Sequence, residues 1–206
     1  QWCHPADFDG WVEAGAAGWG WTDVQSVFRT QERWLGEDGD PGRGRNGPMV
    51  ISPNTNARPL SHAFVEAARR AGLGDARCYN GHAYQGAWIA ELAHKDGKRF
   101  TAYDACLVPA MRRANLDVMT DAQVTKVLIE QGRAVGVTVR RGAVVETINA
   151  RGIVLAAGAF ASPQLLMLSG IGPAAALAQF GLPVHVDRQA VGENLQDHPA
   201  FGIVCR

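Results

Sequence analysis

Two glycine-bearing segments and a few His, Cys and Asp residues are where this sequence carries the means for chemistry. Gly42-Arg-Gly44-Arg-Asn-Gly47 spells G-x-G-x-x-G, a spacing that cradles a dinucleotide pyrophosphate when it joins the end of a strand to the start of a helix. Here Asp38-Gly39-Asp40-Pro41 precedes it, and Pro48 with the β-like run Met49–Ile51 follows. No helix N-terminus can meet a phosphate in that setting, so the segment reads as a turn-forming surface loop. Residues 152–172 are different. An apolar run, Gly152 to Ala157, feeds Gly158, and a helix follows. That is the junction at which open α/β sheets bind ligands, with small residues that admit a flat or phosphorylated group close to the backbone. The competing reading is that Gly158 and the alanines only permit tight helix–strand packing.

The titratable residues say less. None of His4, His62, His82, His94, His185 and His198 is marked by its spacing as a catalytic base. His198 stands beside Asp197, but a base also needs a substrate site next to it. Asp7 and Asp9 flank Phe8 and are expected to serve the fold. Cys3, Cys78, Cys106 and Cys205 form no C-x-x-C pair, so no metal-ligand spacing is present. Four scattered cysteines in a chain of this size read as reduced thiols of a cytoplasmic protein.

The elements that must position these residues fall into two textures. All six Trp lie in the first hundred residues, which are loop-rich. Two short helices are expected around Gly15–Gly18, with Asp23 capping the second and Val24, Val27 and Phe28 on its inner face. A helix over 59–71 should begin at Pro59, turn Leu60, Phe64, Ala67, Ala68 and Ala71 inward, and stop at Gly72. Thr101 with Asp104 resembles a capping box for a helix that Pro109 must kink or restart. Gln123–Ile129, Ala134–Val139 and Ala143–Asn149 read as an antiparallel three-stranded meander, Gly152–Ala157 as a buried parallel strand. Ser162-Pro163 reads as a helix N-cap with Pro at the first position, Pro173–Phe180 as a short helix, and Pro183–Val186 as a last strand.

The composition sets outer limits. The chain has 206 residues, 47% of them apolar and 19% charged, with 20 Lys plus Arg against 20 Asp plus Glu. A chain of this size and apolar content can bury a real core. Zero net charge gives no support to nucleic acid or an anionic membrane as partner. No apolar run is long enough to make a transmembrane segment.

Several of these segments match one family in order. Gly158-Ala-Phe-Ala-Ser-Pro-Gln-Leu-Leu-Met-Leu-Ser-Gly-Ile-Gly172 resembles, position for position, the second signature of the glucose–methanol–choline (GMC) oxidoreductases. His4-Pro-Ala-Asp-Phe-Asp-Gly-Trp11, the Gly18-Trp19…Asp23-Val24…Phe28 pattern, Gly97-Lys-Arg99 with Thr101 and Asn115-Leu116, and Val191-Gly-Glu-Asn-Leu-Gln-Asp-His-Pro199 also resemble family stretches. Where the family has Arg-Gly before the first of these, this chain has Trp2-Cys3.

The resemblance implies a mixed α/β fold (α+β in texture). It comprises part of an FAD-binding, Rossmann-like domain with an inserted antiparallel β-meander, and part of a substrate or cap domain. It assigns residues 1–97 to a cap and substrate-domain segment, 98–198 to an FAD-domain segment, and 199–206 to a return into the substrate domain. It implies FAD as cofactor and oxidation of a CH–OH group, the hydride passing to the flavin while a His takes the hydroxyl proton.

Val124 falls where the family places a valine whose backbone meets the adenine, against the alternative that it is strand core. Ala157 and Gly158 fall near the cofactor. No catalytic residue and no metal ligand is assigned. The family's opening strand, its dinucleotide loop and its catalytic His do not appear in the sequence, so the chain reads as an internal piece that is inactive alone. The expected partner is a small alcohol, as in choline- and alcohol-dehydrogenase-like members, with the electron acceptor undetermined. A hydroxynitrile lyase on the same scaffold and a non-catalytic remnant are the alternatives.

Overall fold

The computed structural model describes residues 2–36, 42–74, 80 and 84–202. Its chain divides by packing into two compact units, Gln1–Asp117 and Val118–Arg206. Phe8, Trp34, Val50, Ala68 and Ala105 form the core of the first, and Val127, Val139, Leu165 and Leu177 that of the second.

The first unit opens with two capped helices, α1 (Pro5–Glu13) and α2 (Trp21–Gln31). His4 caps α1. Its Nδ1 accepts the Ala6 N–H at 3.2 Å, and its own N–H donates to Asp7 Oδ2 at 2.9 Å. At α2 the N-cap is Gly20, not Asp23. Asp23 caps from the third helical position, accepting the Gly20 N–H at 3.1 Å. Asp9 Oδ1 accepts the Trp21 N–H at 3.1 Å and ties the two helices together. Asp7 and Asp9 thus serve the fold. Buried Phe8 lies among the rings of Trp11, Trp21 and Phe28, with centroids 5.1, 5.7 and 5.6 Å away. Aromatic contacts at such distances add to the area they bury. Val27, expected on the inner face of α2, is exposed.

After α2 the chain enters β1 (Glu32–Trp34), which pairs in parallel with β2 (Met49–Ile51). The described part of the connection, residues 42–48, contains the G-x-G-x-x-G spacing, and its glycines are structural. A Cβ on Gly44 would lie 2.1 Å from the Arg29 carbonyl oxygen, and one on Gly47 2.1 Å from the Gln31 carbonyl carbon. Backbone passes over backbone there, which only glycine permits.

Arg43, next to Gly44, is fully buried. It donates from Nε to Glu32 Oε2 at 2.9 Å and from Nη2 to Glu32 Oε1 at 2.7 Å, and its Nη1 lies 2.9 Å from Glu91 Oε2. Its guanidinium sits 4.4 Å over the Trp34 ring, and that of Arg45 sits 4.5 Å from the same ring. Burial works against the Arg43 charge, but the hydrogen bond and charge of Glu32, followed by Glu91, outweigh it and hold the pKa above its ordinary value.

Helix α3 (Pro59–Arg70) starts at Pro59 and is followed by Gly72 at φ +85°. Its burial differs from the expected face: Ala68 is buried, whereas Leu60 and Phe64 are exposed. A hairpin of β3 (His94–Lys95) and β4 (Lys98–Arg99) turns at Asp96-Gly97, both with positive φ. Thr101 then donates its N–H and its hydroxyl to Asp104 Oδ2, at 2.8 and 2.7 Å. The Thr101 hydroxyl and then its N–H hold the Asp104 carboxyl below the usual carboxylate value.

The helix expected there is a π turn, Tyr103–Leu107, followed by a short α4 (Val108–Ala110). Pro109 explains it. In a regular helix its ring would crowd the Ala105 carbonyl, and it has no N–H to donate. Widening the turn and restarting relieves both.

The second unit is built on β5 (Gln123–Glu130), β6 (Arg133–Arg141) and β7 (Val144–Asn149), the expected antiparallel meander. The β5–β6 turn has Gln131 and Gly132 at φ +48° and +77°, as a two-residue hairpin of this twist requires. Gly152–Ala157 departs from expectation. Among the described residues it forms no strand, and Val154 is 91% exposed. An apolar run becomes a buried strand only when neighbours pair with it, and here none does. Helix α5 (Gly158–Leu168), β8 (Ile171–Gly172), α6 (Ala174–Gln179) and β9 (Val186–Asp187) follow, with β8 and β9 parallel.

Candidate functional site

The candidate site lies at the start of α5 and along β5, both in the second unit. The helix begins at Gly158, earlier than the Ser162-Pro163 pair suggested. Ser162 does act as a cap, but backwards, its Oγ accepting the Ala157 N–H at 3.0 Å. Pro163 therefore lies inside the helix, where it forfeits one backbone hydrogen bond.

Gly158 has φ +88°, and a Cβ placed on it would meet nothing within 4 Å. The position thus demands glycine for its backbone while its flank stays open. Phe160, in the first turn, is 77% exposed.

The far end of α5 is fixed firmly. Ser169, fully buried, accepts the Val127 N–H at 2.8 Å and donates to the Leu165 carbonyl at 2.6 Å. Gly170, at φ +82°, lets His185 pack closely, since a Cβ would lie 2.6 Å from its ring. This pin joins α5 to β5, the strand that carries Val124. Helix α5 thus links the three residues singled out from the sequence: Ala157 and Gly158 at its free end, and Val124 on the strand that holds its other end. Val124 is 39% exposed, so it is not buried strand core. Next to it the ladder is irregular. Val124 faces Val139 and Lys126 faces Thr138, leaving Thr125 as an extra, bulged residue. Its hydroxyl donates to the Thr138 carbonyl at 3.3 Å. The sequence reading missed this bulge, because only the register of the partner strand reveals it.

The histidines do not converge. His4 is a helix cap, His62 is exposed on α3, and His94 lies in β3. His185 packs against Gly170. His198 is exposed, its N–H donating to Asp197 Oδ1 at 2.7 Å. His82 is outside the described residues. Among the described residues no group of three or more His, Cys, Asp or Glu is placed to hold a metal ion. Nor, among the described residues, is any helix long and apolar enough to cross a membrane.

Comparison with solved structures gives the class of protein. The chain superposes on pyridoxine 4-oxidase from Mesorbium loti with TM-score 0.77 and 34% identity, over 89% of this chain and 36% of that one. On an FAD-dependent oxidoreductase from Chaetomium thermophilum the TM-score is 0.78 at 28% identity, over 88% and 34%.

The family model for GMC oxidoreductase matches residues 3–200, and the chain belongs to that family of FAD-dependent flavoproteins. Similar curated proteins include the oxygen-dependent choline dehydrogenases of Sinorhizobium fredii, 44% identical over 199 residues, and Rhizobium meliloti, 42% identical over 200. Each alignment covers 96% of this chain and 36% of the relative, so the chain spans about a third of their length.

Proposed function

We propose that the full-length protein oxidises the CH–OH group of a small alcohol with FAD, and that residues 98–198 form part of the wall of its flavin site. Bound FAD supplies the hydride acceptor, and the protein binds and orients it. The backbone of Val124 meets the adenine, and Ala157 and Gly158 lie against the cofactor. The observation that carries this reading is the match of the GMC oxidoreductase family model to residues 3–200, a stretch that includes the left-handed Gly158 at the start of α5. We assign residues 1–97 to a cap and substrate-domain segment.

The base that takes the hydroxyl proton is placed outside this stretch. His4 is committed to capping, and none of the other described histidines lies on α5 or β5. Exposed, free Cys3 and Cys106 support a cytoplasmic setting.

The test is anaerobic spectroscopy of the full-length protein. A bound-flavin absorbance that bleaches on addition of one of a panel of small alcohols, choline among them, is expected. Protein purified without flavin and unable to take it up, or a flavin that no alcohol bleaches, overturns the proposal.

A further inference from the structure

The N–H of Ala157 is one of those that a helix leaves without an internal partner, since Ala157 is the N-cap of α5. Its partner comes from inside the helix. Ser162 Oγ reaches back five residues and accepts it at 3.0 Å. The opening turn has few other ties to the helix body. Pro163 has no N–H, so the Ala159 carbonyl lacks the donor that a regular helix would bring to it. Before the turn, residues 152–157 pair with no strand among the described residues.

The bond from Ala157 to Ser162 lies where the chain is wet. Ala157, Gly158, Ala159 and Phe160 are all exposed, and Ser162 is half-buried. An N–H in that position loses little without a protein partner, because water serves as acceptor. The bond matters once something covers the turn. A cofactor lying against Ala157 and Gly158 displaces the water, and a backbone donor buried without an acceptor is costly. The cost falls on binding and not on folding, because only the bound state excludes the water.

We infer that Ser162 is a positioning residue for the cofactor: its hydroxyl holds the Ala157 N–H, so that FAD can cover the turn at Ala157–Gly158 without stranding a backbone donor. This rests on the proposed FAD site and adds to it a side chain that acts through Ala157.

The experiment uses the deflavinated full-length protein, with thermal melting for stability and flavin fluorescence for the FAD dissociation constant. Ser162→Ala is expected to melt close to wild type without flavin and to raise the FAD dissociation constant by roughly tenfold, the worth of one backbone donor left unpaired. Added FAD should then raise its melting temperature less than it raises that of wild type. Ser162→Thr, which keeps the hydroxyl, should bind FAD like wild type. A serine that only supports the helix predicts the reverse, with stability lost and affinity kept.

A Ser162→Ala protein with wild-type FAD affinity overturns the inference. So does one that fails to fold, or melts far below wild type before flavin is added, because the bond would then be holding the fold. A loss of affinity that Ser162→Thr shares in full overturns it as well. A wild type that takes up no FAD overturns the FAD reading itself and the inference with it.

Discussion

Two glycine-rich turns in this chain look interchangeable as strings and are opposite as structures. Around Gly44 and Gly47 the space a side chain would need is filled by the backbone of Arg29–Glu32, and buried Arg43, next to Gly44, bridges Glu32 and Glu91. Around Gly158 that space is empty. The first turn is closed by the protein on itself and is a fastening. The second is left open. A glycine pattern therefore acquires meaning from what occupies the missing side chain's place. The spacing that looks like a dinucleotide loop is the one with no room for a ligand.

The sharpest way to break this contrast is at the closed turn. Arg43→Ala leaves Glu32 buried without its partner, and an uncompensated buried charge costs about 3–5 kcal/mol. Chemical denaturation of the full-length protein should show a loss of that size. A loss below about 1 kcal/mol would mean that solvent reaches the pair and the turn is not closed. Gly47→Ala tests the same turn without touching charge. The new methyl meets main chain, which cannot swing aside, so the cost should be roughly 3 kcal/mol, the upper end for overpacking. A variant as stable as wild type would contradict the backbone crossing.

On the other side of the comparison the anchor is Ser169. Ser169→Ala strands the Val127 N–H in a buried position and should cost roughly 1–3 kcal/mol. Amide exchange at Val127 should accelerate with it. Unchanged exchange there would mean that the Ser169 hydroxyl does not hold the Val127 N–H.

Legibility in the sequence follows the range of the interaction. The meander was legible because its strands are neighbours, Val135, Val137 and Val139 alternate at period two, and Gln131-Gly132 marks a turn. The Thr101–Asp104 cap and the stop at Gly72 were legible for the same local reason. The parallel pairing of β1 with β2 was not, because two three-residue strands carry no period and their pairing depends on a buried Arg–Glu contact. Ser162-Pro163 misled because Ser-Pro ordinarily opens a helix, whereas here the serine reaches back to Ala157. Residues 152–157 had the composition of a buried strand, yet composition does not supply a pairing partner. Of the candidate site, Gly158 was legible as a residue type at a junction. The bulge beside Val124 was not, since it exists only relative to β6.

The smallest stability effect should come from the open turn, and it is the most informative. Gly158→Ala puts a methyl at φ +88°, a conformation that costs an L-residue roughly 1–2 kcal/mol. It meets no protein atom, so no packing penalty is added. The same substitution that unfastens the turn at Gly47 should thus be tolerated here. Its main consequence should lie elsewhere. If the cofactor approaches the backbone at this point, the methyl takes up the space of that approach, and the FAD dissociation constant should rise well beyond what the modest destabilisation explains. Fluorescence titration of deflavinated protein, beside the same titration of Ser169→Ala, separates the two causes. Ser169→Ala loosens the helix without filling the space, so it should lose more stability and less affinity. If Gly158→Ala keeps full FAD affinity, the open flank belongs to something other than the cofactor, and the contrast between the two turns reduces to one of packing.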